Sequence, residues 1–138
     1  TQSANLFEIN KKINIVDLPG YGYAKVSKKI NNELIELIES YILERKNLVN
    51  IYVLIDCKVG LKESDLDFFD FLLSIEKRFS IILTKTDKCS FNFIANQNKN
   101  IKTHMENYKK KFNQIFLTSN KNKEGILDVQ KDIINLAL

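Results

Sequence analysis

The sequence predicts an α/β fold with a mostly parallel sheet, on three observations. Short β-branched runs alternate with longer helical patterns, as in βαβ units that place helices on the faces of a sheet. Ile51–Ile55 is a continuous apolar run and Ser80–Thr84 has an apolar centre, Ile81–Leu83, the mark of strands buried on both faces. The four glycines and the single proline fall at the ends of expected elements rather than inside them.

Taken in order, Asn5–Ile9 and Ile13–Asp17 read as two strands joined across Asn10-Lys11-Lys12, a polar link short enough to make them an antiparallel hairpin. Over 31–45, Leu34, Ile35, Ile38, Tyr41 and Ile42 recur at three- and four-residue steps and give an amphipathic helix. Ile51–Ile55 is expected to be a central strand. A helix follows over Glu63–Glu76, with Phe68, Phe69, Phe71 and Leu72 as core candidates. After the strand Ser80–Thr84 comes a Lys/Asn-rich helix over most of 93–111, then a strand at Gln114–Thr118 and a closing helix from about Lys123 to Leu138. His104 stands alone on the Lys-rich helix and is read as a surface residue.

With 138 residues, the chain has the size of one compact domain, and 44% apolar with 28% charged residues is the balance of a chain that folds around a core. The formal net charge of +4 arises from 21 basic and 17 acidic residues spread along the chain, which suits a solvated Lys-rich surface or a phosphate-rich partner such as RNA. No apolar run approaches the roughly 18–20 residues of a membrane helix. Cys57 and Cys89 show no C-x-x-C spacing, which points to a reduced intracellular compartment.

Chemistry concentrates after the strands, where open α/β sheets bind ligands. INIVDLPG, residues 13–20, ends an apolar strand with Asp17 and places Gly20 three residues on. This D-x-x-G spacing lets a carboxylate reach a magnesium ion through water while the glycine N–H faces a terminal phosphate; alone, it is equally a common turn. IILTKTDK, residues 81–88, runs a buried strand into Thr84-Lys85-x-Asp87. That order matches the base-reading motif of GTPases, in which the aspartate accepts from the ring N–H and exocyclic amine of guanine while the lysine stem lies along the base. IFLTSN, residues 115–120, offers Thr118, Ser119 and Asn120 as a loop whose backbone N–H supports the guanine carbonyl, a reading whose weight comes from its position after the last strand.

DLPGYGYAKVS, then YILERKNL, LIDCKVGLKESD and LTKTDK, together resemble the EngB family (also called YihA or YsxC) of P-loop GTPases over essentially the whole chain. The resemblance implies a Ras-like three-layer fold in which residues 1–138 form the C-terminal two-thirds of a single G domain. It implies GTP and GDP as ligands with Mg2+, and places Thr1 with Asp17 as magnesium ligands, because Thr1-Gln2 occupies the position of the family's switch threonine and glutamine. It further implies GTP hydrolysis, a role in assembly of the large ribosomal subunit linked to cell division and septation, and rRNA as a partner. A monomer without DNA or membrane partners is expected, in the cytoplasm or in the matrix or stroma of a bacterial-derived organelle. An interaction module without nucleotide and a GTPase of another RNA-bound machine are the alternatives.

Some features depart from the family pattern. Tyr21 follows Gly20 where Ras-type switches carry a water-orienting glutamine, implying slow intrinsic hydrolysis, and no residue is assigned to catalysis. Lys58 stands where the family usually has arginine, and the stretch from Thr118 to Gly125 is one residue longer than usual. No G-x-x-x-x-G-K-[ST] phosphate loop occurs in the 138 residues, so the first strand, phosphate loop and first helix of the fold are expected to lie outside them, and this segment alone is expected to be inactive.

Overall fold

A computed structural model describes residues 5–22 and 25–138. The chain divides into two compact units, 1–48 and 49–138.

The first unit holds the hairpin β1 (Asn5–Ile9) and β2 (Ile13–Asp17) and the helix α1 (Lys28–Glu44). The strands pair antiparallel, with Ile9 opposite Ile13 and Asn5 opposite Asp17. The three-residue link Asn10-Lys11-Lys12 read from the sequence joins them. Asn10 and Lys11 both adopt positive φ (52° and 57°), and Lys12 N–H closes it by donating to the Ile9 carbonyl at 3.1 Å. Two successive positive φ values match the right-handed twist of the strands they join.

Helix α1 begins three residues earlier than the apolar periodicity suggests. Ser27 caps it, its side chain accepting from the Ile30 N–H. That satisfies one of the donors orphaned at a helix start, an effect of about 1 kcal/mol. Leu34, Ile38 and Ile42 are buried, at the four-residue steps that define one face.

The second unit holds a parallel sheet of β3 (Ile51–Asp56), β4 (Phe79–Thr84) and β5 (Phe112–Leu117) in that spatial order, with helices α2 (Glu63–Ser74), α3 (Phe91–Met105) and α4 (Ile126–Ala137). Val53 and Ile55 of β3 lie in register with Ile81 and Leu83 of β4, so all four share one sheet face, and all are buried. Phe69 of α2 stacks on Phe79 with ring centroids 4.8 Å apart, and Tyr108 meets both rings edge-on. Each such ring removed from water contributes roughly 1.5–3 kcal/mol, with an increment from the aromatic geometry.

Among the described strands β3 lies at the edge of the sheet beside β4, and Leu54 on its second face is 65% exposed. That second face is covered where α4 is tied to it by Asp132, which accepts from the Tyr52 hydroxyl at 2.6 Å and from the Gln114 amide at 3.3 Å. The Lys/Asn-rich helix covers Phe91–Met105, most of its expected span, and stops short of Lys111. A 3-10 turn over Glu106–Tyr108 follows, placing Tyr108 against Phe69 and Phe79 with its hydroxyl on Asp70. No helix among the described residues is long and apolar enough to cross a membrane.

Candidate functional site

In the first unit, β2 delivers Asp17 at its carboxyl end, where it is exposed; Pro19 is buried and Gly20 half-buried. The segment is tied down beyond Gly20. Gly22, at φ 73°, donates its N–H to Asn31 Oδ1 at 2.6 Å, linking the loop to the first turn of α1. Asn31 carries no motif and was not singled out from the sequence. Thr1 lies outside the described residues.

In the second unit, Thr84 ends the central strand, with its hydroxyl 3.4 Å from the Ile55 carbonyl and its own carbonyl accepting the Cys57 N–H. The next residue, Lys85, turns into the left-handed region (φ 59°, ψ 37°), a conformation that costs a non-glycine residue roughly 1–2 kcal/mol and concentrates at functional sites. Thr86–Lys88 then form a single 3-10 turn closed by Lys88 N–H to the Lys85 carbonyl and Cys89 N–H to the Thr86 carbonyl.

This turn is fastened to the loop after β5. Thr86 is buried, and its N–H and hydroxyl both donate to the Thr118 carbonyl, at 3.2 and 3.0 Å. Thr118 in turn donates its N–H to the Leu83 carbonyl at 2.9 Å, and its hydroxyl to the same oxygen at 3.3 Å. A buried polar group left unpaired would cost about 1–3 kcal/mol, so these reciprocal bonds hold the two loops as one piece.

Ser119, fully buried, occupies the centre of that piece. Its hydroxyl donates to Asp87 Oδ1 at 2.8 Å and accepts from the Asn122 N–H at 3.2 Å, while its N–H donates to the Glu124 carbonyl. A carboxylate can only accept, so the hydroxyl proton must point at Asp87. Asp87 keeps Oδ2 and a second lone pair on Oδ1 as acceptors, the pattern that a neighbouring pair of N–H donors on a purine edge requires. Asn120 is exposed next to Ser119.

Of the residues singled out from sequence, the structure gathers Thr84, Lys85, Asp87, Thr118, Ser119 and Asn120 at the carboxyl ends of β4 and β5. Asp17 and Gly20 end a strand of the other unit. Thr118 and Thr84 spend their side chains on neighbouring carbonyls, shaping the loops.

Besides Asn31, two residues were missed. Thr86 is the unspecified position of the Thr-Lys-x-Asp motif, and nothing in its type announced the double bond to Thr118. Asp56 ends β3, and its Oδ2 lies 3.3 Å from Lys85 Nζ while Oδ1 accepts the Lys58 N–H at 2.9 Å. Partial burial works to raise the Asp56 pKa, but the amides of Lys58 and Val59 and the Lys85 ammonium outweigh it and hold the carboxyl below its ordinary value. An acid ending a buried strand of an open α/β sheet was the available signal.

Hollows of about 400 Å³ along α3 and about 490 Å³ between β5 and α4 are lined by none of Thr84, Lys85, Asp87, Thr118, Ser119 or Asn120. With Lys85 and Asn120 exposed and Asp87 half-buried, the two loops present their preset donors and acceptors as a surface ledge.

Solved structures share this architecture. The chain aligns over 99% of its length with a crystal structure of a probable GTP-binding protein EngB (TM-score 0.73, 18% identity, 84% of that chain). It aligns over 98% with Era in complex with MgGDPNP and nucleotides 1506–1542 of 16S ribosomal RNA (TM-score 0.71, 18% identity, 44% of that chain). It also aligns over 97% with the translation elongation factor SelB from Methanococcus maripaludis in complex with GPPNHP (TM-score 0.74, 19% identity, 27% of that chain). These likenesses show the P-loop GTPase α/β fold.

No family model matches the chain. Curated relatives do. The probable GTP-binding protein EngB of Mycoplasmopsis synoviae is 40% identical over 119 residues, 86% of this chain and 63% of the relative. That of Metamycoplasma arthritidis is 38% identical over 129 residues, 94% and 68%. That of Phocaeicola vulgatus is 40% identical over 144 residues, 97% and 68%. The chain spans about two thirds of the length of these relatives, and on identities of 38–40% over that span it belongs to the EngB family of GTP-binding proteins.

Proposed function

We propose that the chain forms the base-reading and magnesium-sensing part of a GTP switch. The observation that carries this reading is Asp87, oriented by the buried Ser119 hydroxyl on a ledge beside Lys85. Guanine presents a ring N–H and an exocyclic amine side by side, and a carboxylate accepts both. Adenine offers no such pair at that edge. Lys85 supplies an aliphatic stem for the base plane.

The ligands are GTP and GDP with Mg2+. Asp17 suits the ion because magnesium keeps most of its waters and takes only one or two protein carboxylates beside phosphate oxygens. Thr1 and Asp17 would hold it, and the bound ion would neutralise charge developing on the phosphates. Among the described residues no three His, Cys, Asp or Glu gather into a metal cage. With Tyr21 after Gly20, hydrolysis to GDP and phosphate is slow without a partner.

The partner we propose is ribosomal RNA within the large ribosomal subunit, in a role linked to cell division and septation, in the cytoplasm or the matrix or stroma of a bacterial-derived organelle. Support comes from family membership, from the net charge of +4 and from the ribosomal RNA bound by Era, a structural neighbour. The experiment is a titration of GTP, GDP and ATP, with magnesium, against the protein expressed from its complete reading frame. Guanine nucleotides are expected to bind and ATP not to. Equal affinity for GTP and ATP overturns the reading.

A further inference from the structure

We infer that Asp56 is a positioning residue of the base site: its carboxylate clasps the Lys85 ammonium and so sets the lysine stem against the face of a bound purine. The inference rests on the base-reading role proposed above for the Thr84–Asp87 loop.

The carboxylate is itself fixed before it meets the lysine. Asp56 ends β3 in a tight turn, its backbone carbonyl accepting from Val59 and Gly60 N–H at 3.2 and 2.9 Å and its Oδ1 from Lys58 N–H at 2.9 Å. Only Oδ2 turns to Lys85, at 3.3 Å. The sheet register makes the meeting local, because Asp56 pairs with Thr84, the residue before Lys85. Lys85 leaves the strand in the left-handed region, so its side chain departs from the alternation of β4 and needs a second anchor to hold a direction. Asp56 supplies that anchor at the far end of the stem.

Stability does not account for the pair. The Lys85 and Asp56 side chains are 57% and 32% exposed, and ion pairs that open to solvent contribute little to folding. A flexible lysine without an anchor would pay rotamer entropy on stacking, whereas a clasped one is ordered in advance.

The test uses Asp56→Asn, which keeps an oxygen for the Lys58 N–H and removes the charge facing Lys85, alone and combined with Lys85→Met, in the protein from its complete reading frame. GDP and XDP affinities are measured with thermal melting as a folding check. Asp56→Asn is expected to weaken GDP and XDP by the same factor, about three- to fivefold, because stacking does not read the base edge. It is expected to add nothing once Lys85 is Met. Unchanged or tighter GDP binding by Asp56→Asn overturns the inference, since the carboxylate would then be idle or competing for the lysine. So does a changed GDP-to-XDP ratio, which would mean that the mutation disturbs Asp87. If the unmutated protein does not prefer GDP over ADP, the base-reading role falls and this inference falls with it. A preference for GDP combined with an unaffected Asp56→Asn removes the inference alone.

Discussion

The buried Ser119 hydroxyl and the Asp87 carboxylate meet at 2.8 Å across two loops that leave neighbouring parallel strands. The contact fixes which Asp87 oxygen is occupied and which remains for a ligand. It also makes the proposed base-reading ledge a property of two strand ends held together, with Thr86 and Thr118 bonded underneath.

Removing that hydroxyl is therefore expected to cost affinity without abolishing the fold. Ser119→Ala deletes a hydrogen bond to a charged acceptor, about 1.5–3 kcal/mol, which corresponds to roughly ten- to a hundredfold weaker GTP binding. The Asn122 N–H also loses its acceptor, so a modest fall in melting temperature is expected as well. Calorimetric titration of GTP against both forms decides the matter. An unaltered dissociation constant would show that Asp87 needs no orienting partner.

Exchanging the carboxylate itself tests the base edge. Asp87→Asn replaces a paired acceptor by an amide that suits xanthine better, so GTP affinity should fall by about 1.5–3 kcal/mol and XTP affinity should rise. GTP and XTP are titrated side by side. Undiminished GTP binding with no gain for XTP would sink the assignment.

Much of the fold was legible because local and tertiary preferences agree. The hairpin strands and the β3–β5 runs lie where apolar runs and punctuation put them, within two residues at either end. The end of α3 was not. Residues 106–111 contain no Gly or Pro to stop a helix, and what stops it is the burial of Tyr108 against Phe69 and Phe79, a contact invisible from local pattern. The same limit applies to the site. Asp87 and Lys85 stand out in the sequence because their spacing matches that of the proposed chemical task. Asp56, Thr86 and Asn31 act through bonds that depend on which loops the sheet brings together, and residue type alone does not carry that information.

Alkaline pH should weaken the fold in a defined window. Burial, then the hydrogen bond and charge of Asp70, push Tyr108 up from 10.0 to about 12. Burial and the neighbouring Cys89 push the Cys57 thiol up from 9.0 to about 12. Burial with Asp132 also raises Tyr52. Each folded-state pKa lies above the unfolded one, so the folded state holds the proton more tightly. The associated stability is complete below about pH 9 and is lost as pH rises towards about 12. Denaturant midpoints should decline across that window. The phenolate absorbance of the folded protein should show Tyr52 and Tyr108 titrating later than in the unfolded chain. A flat midpoint from about pH 9 to about 12 would contradict the shifts.

The last expectation concerns Gly125, which caps α4 at φ 72° beside the proposed base-reading ledge. A Cβ there would sit 2.0 Å from the Leu117 carbonyl oxygen and 3.0 Å from its carbon, both main chain, and 3.2 Å from the Thr118 Cγ2 methyl. The Leu117 oxygen belongs to the strand that leads into Thr118 and Ser119, so relief requires moving the segment that orients Asp87. Gly60 provides the control. It has a similar φ of 76°, but its added Cβ would meet the Gln97 side-chain amide at 2.6 Å. That amide can swing away, at the loss of its 2.8 Å bond to the Cys57 carbonyl. Both alanine variants carry the backbone strain of the left-handed region, about 1–2 kcal/mol. Only Gly125→Ala adds a collision with main chain, so it should be destabilised by upwards of about 3 kcal/mol, roughly 10 °C or more in melting temperature. Gly60→Ala should melt between it and the unmutated protein, and at matched temperature below both transitions Gly125→Ala should weaken GTP binding more than Gly60→Ala does. If the two alanine variants melt together and bind GTP alike, the coupling between the α4 cap and the ledge does not exist.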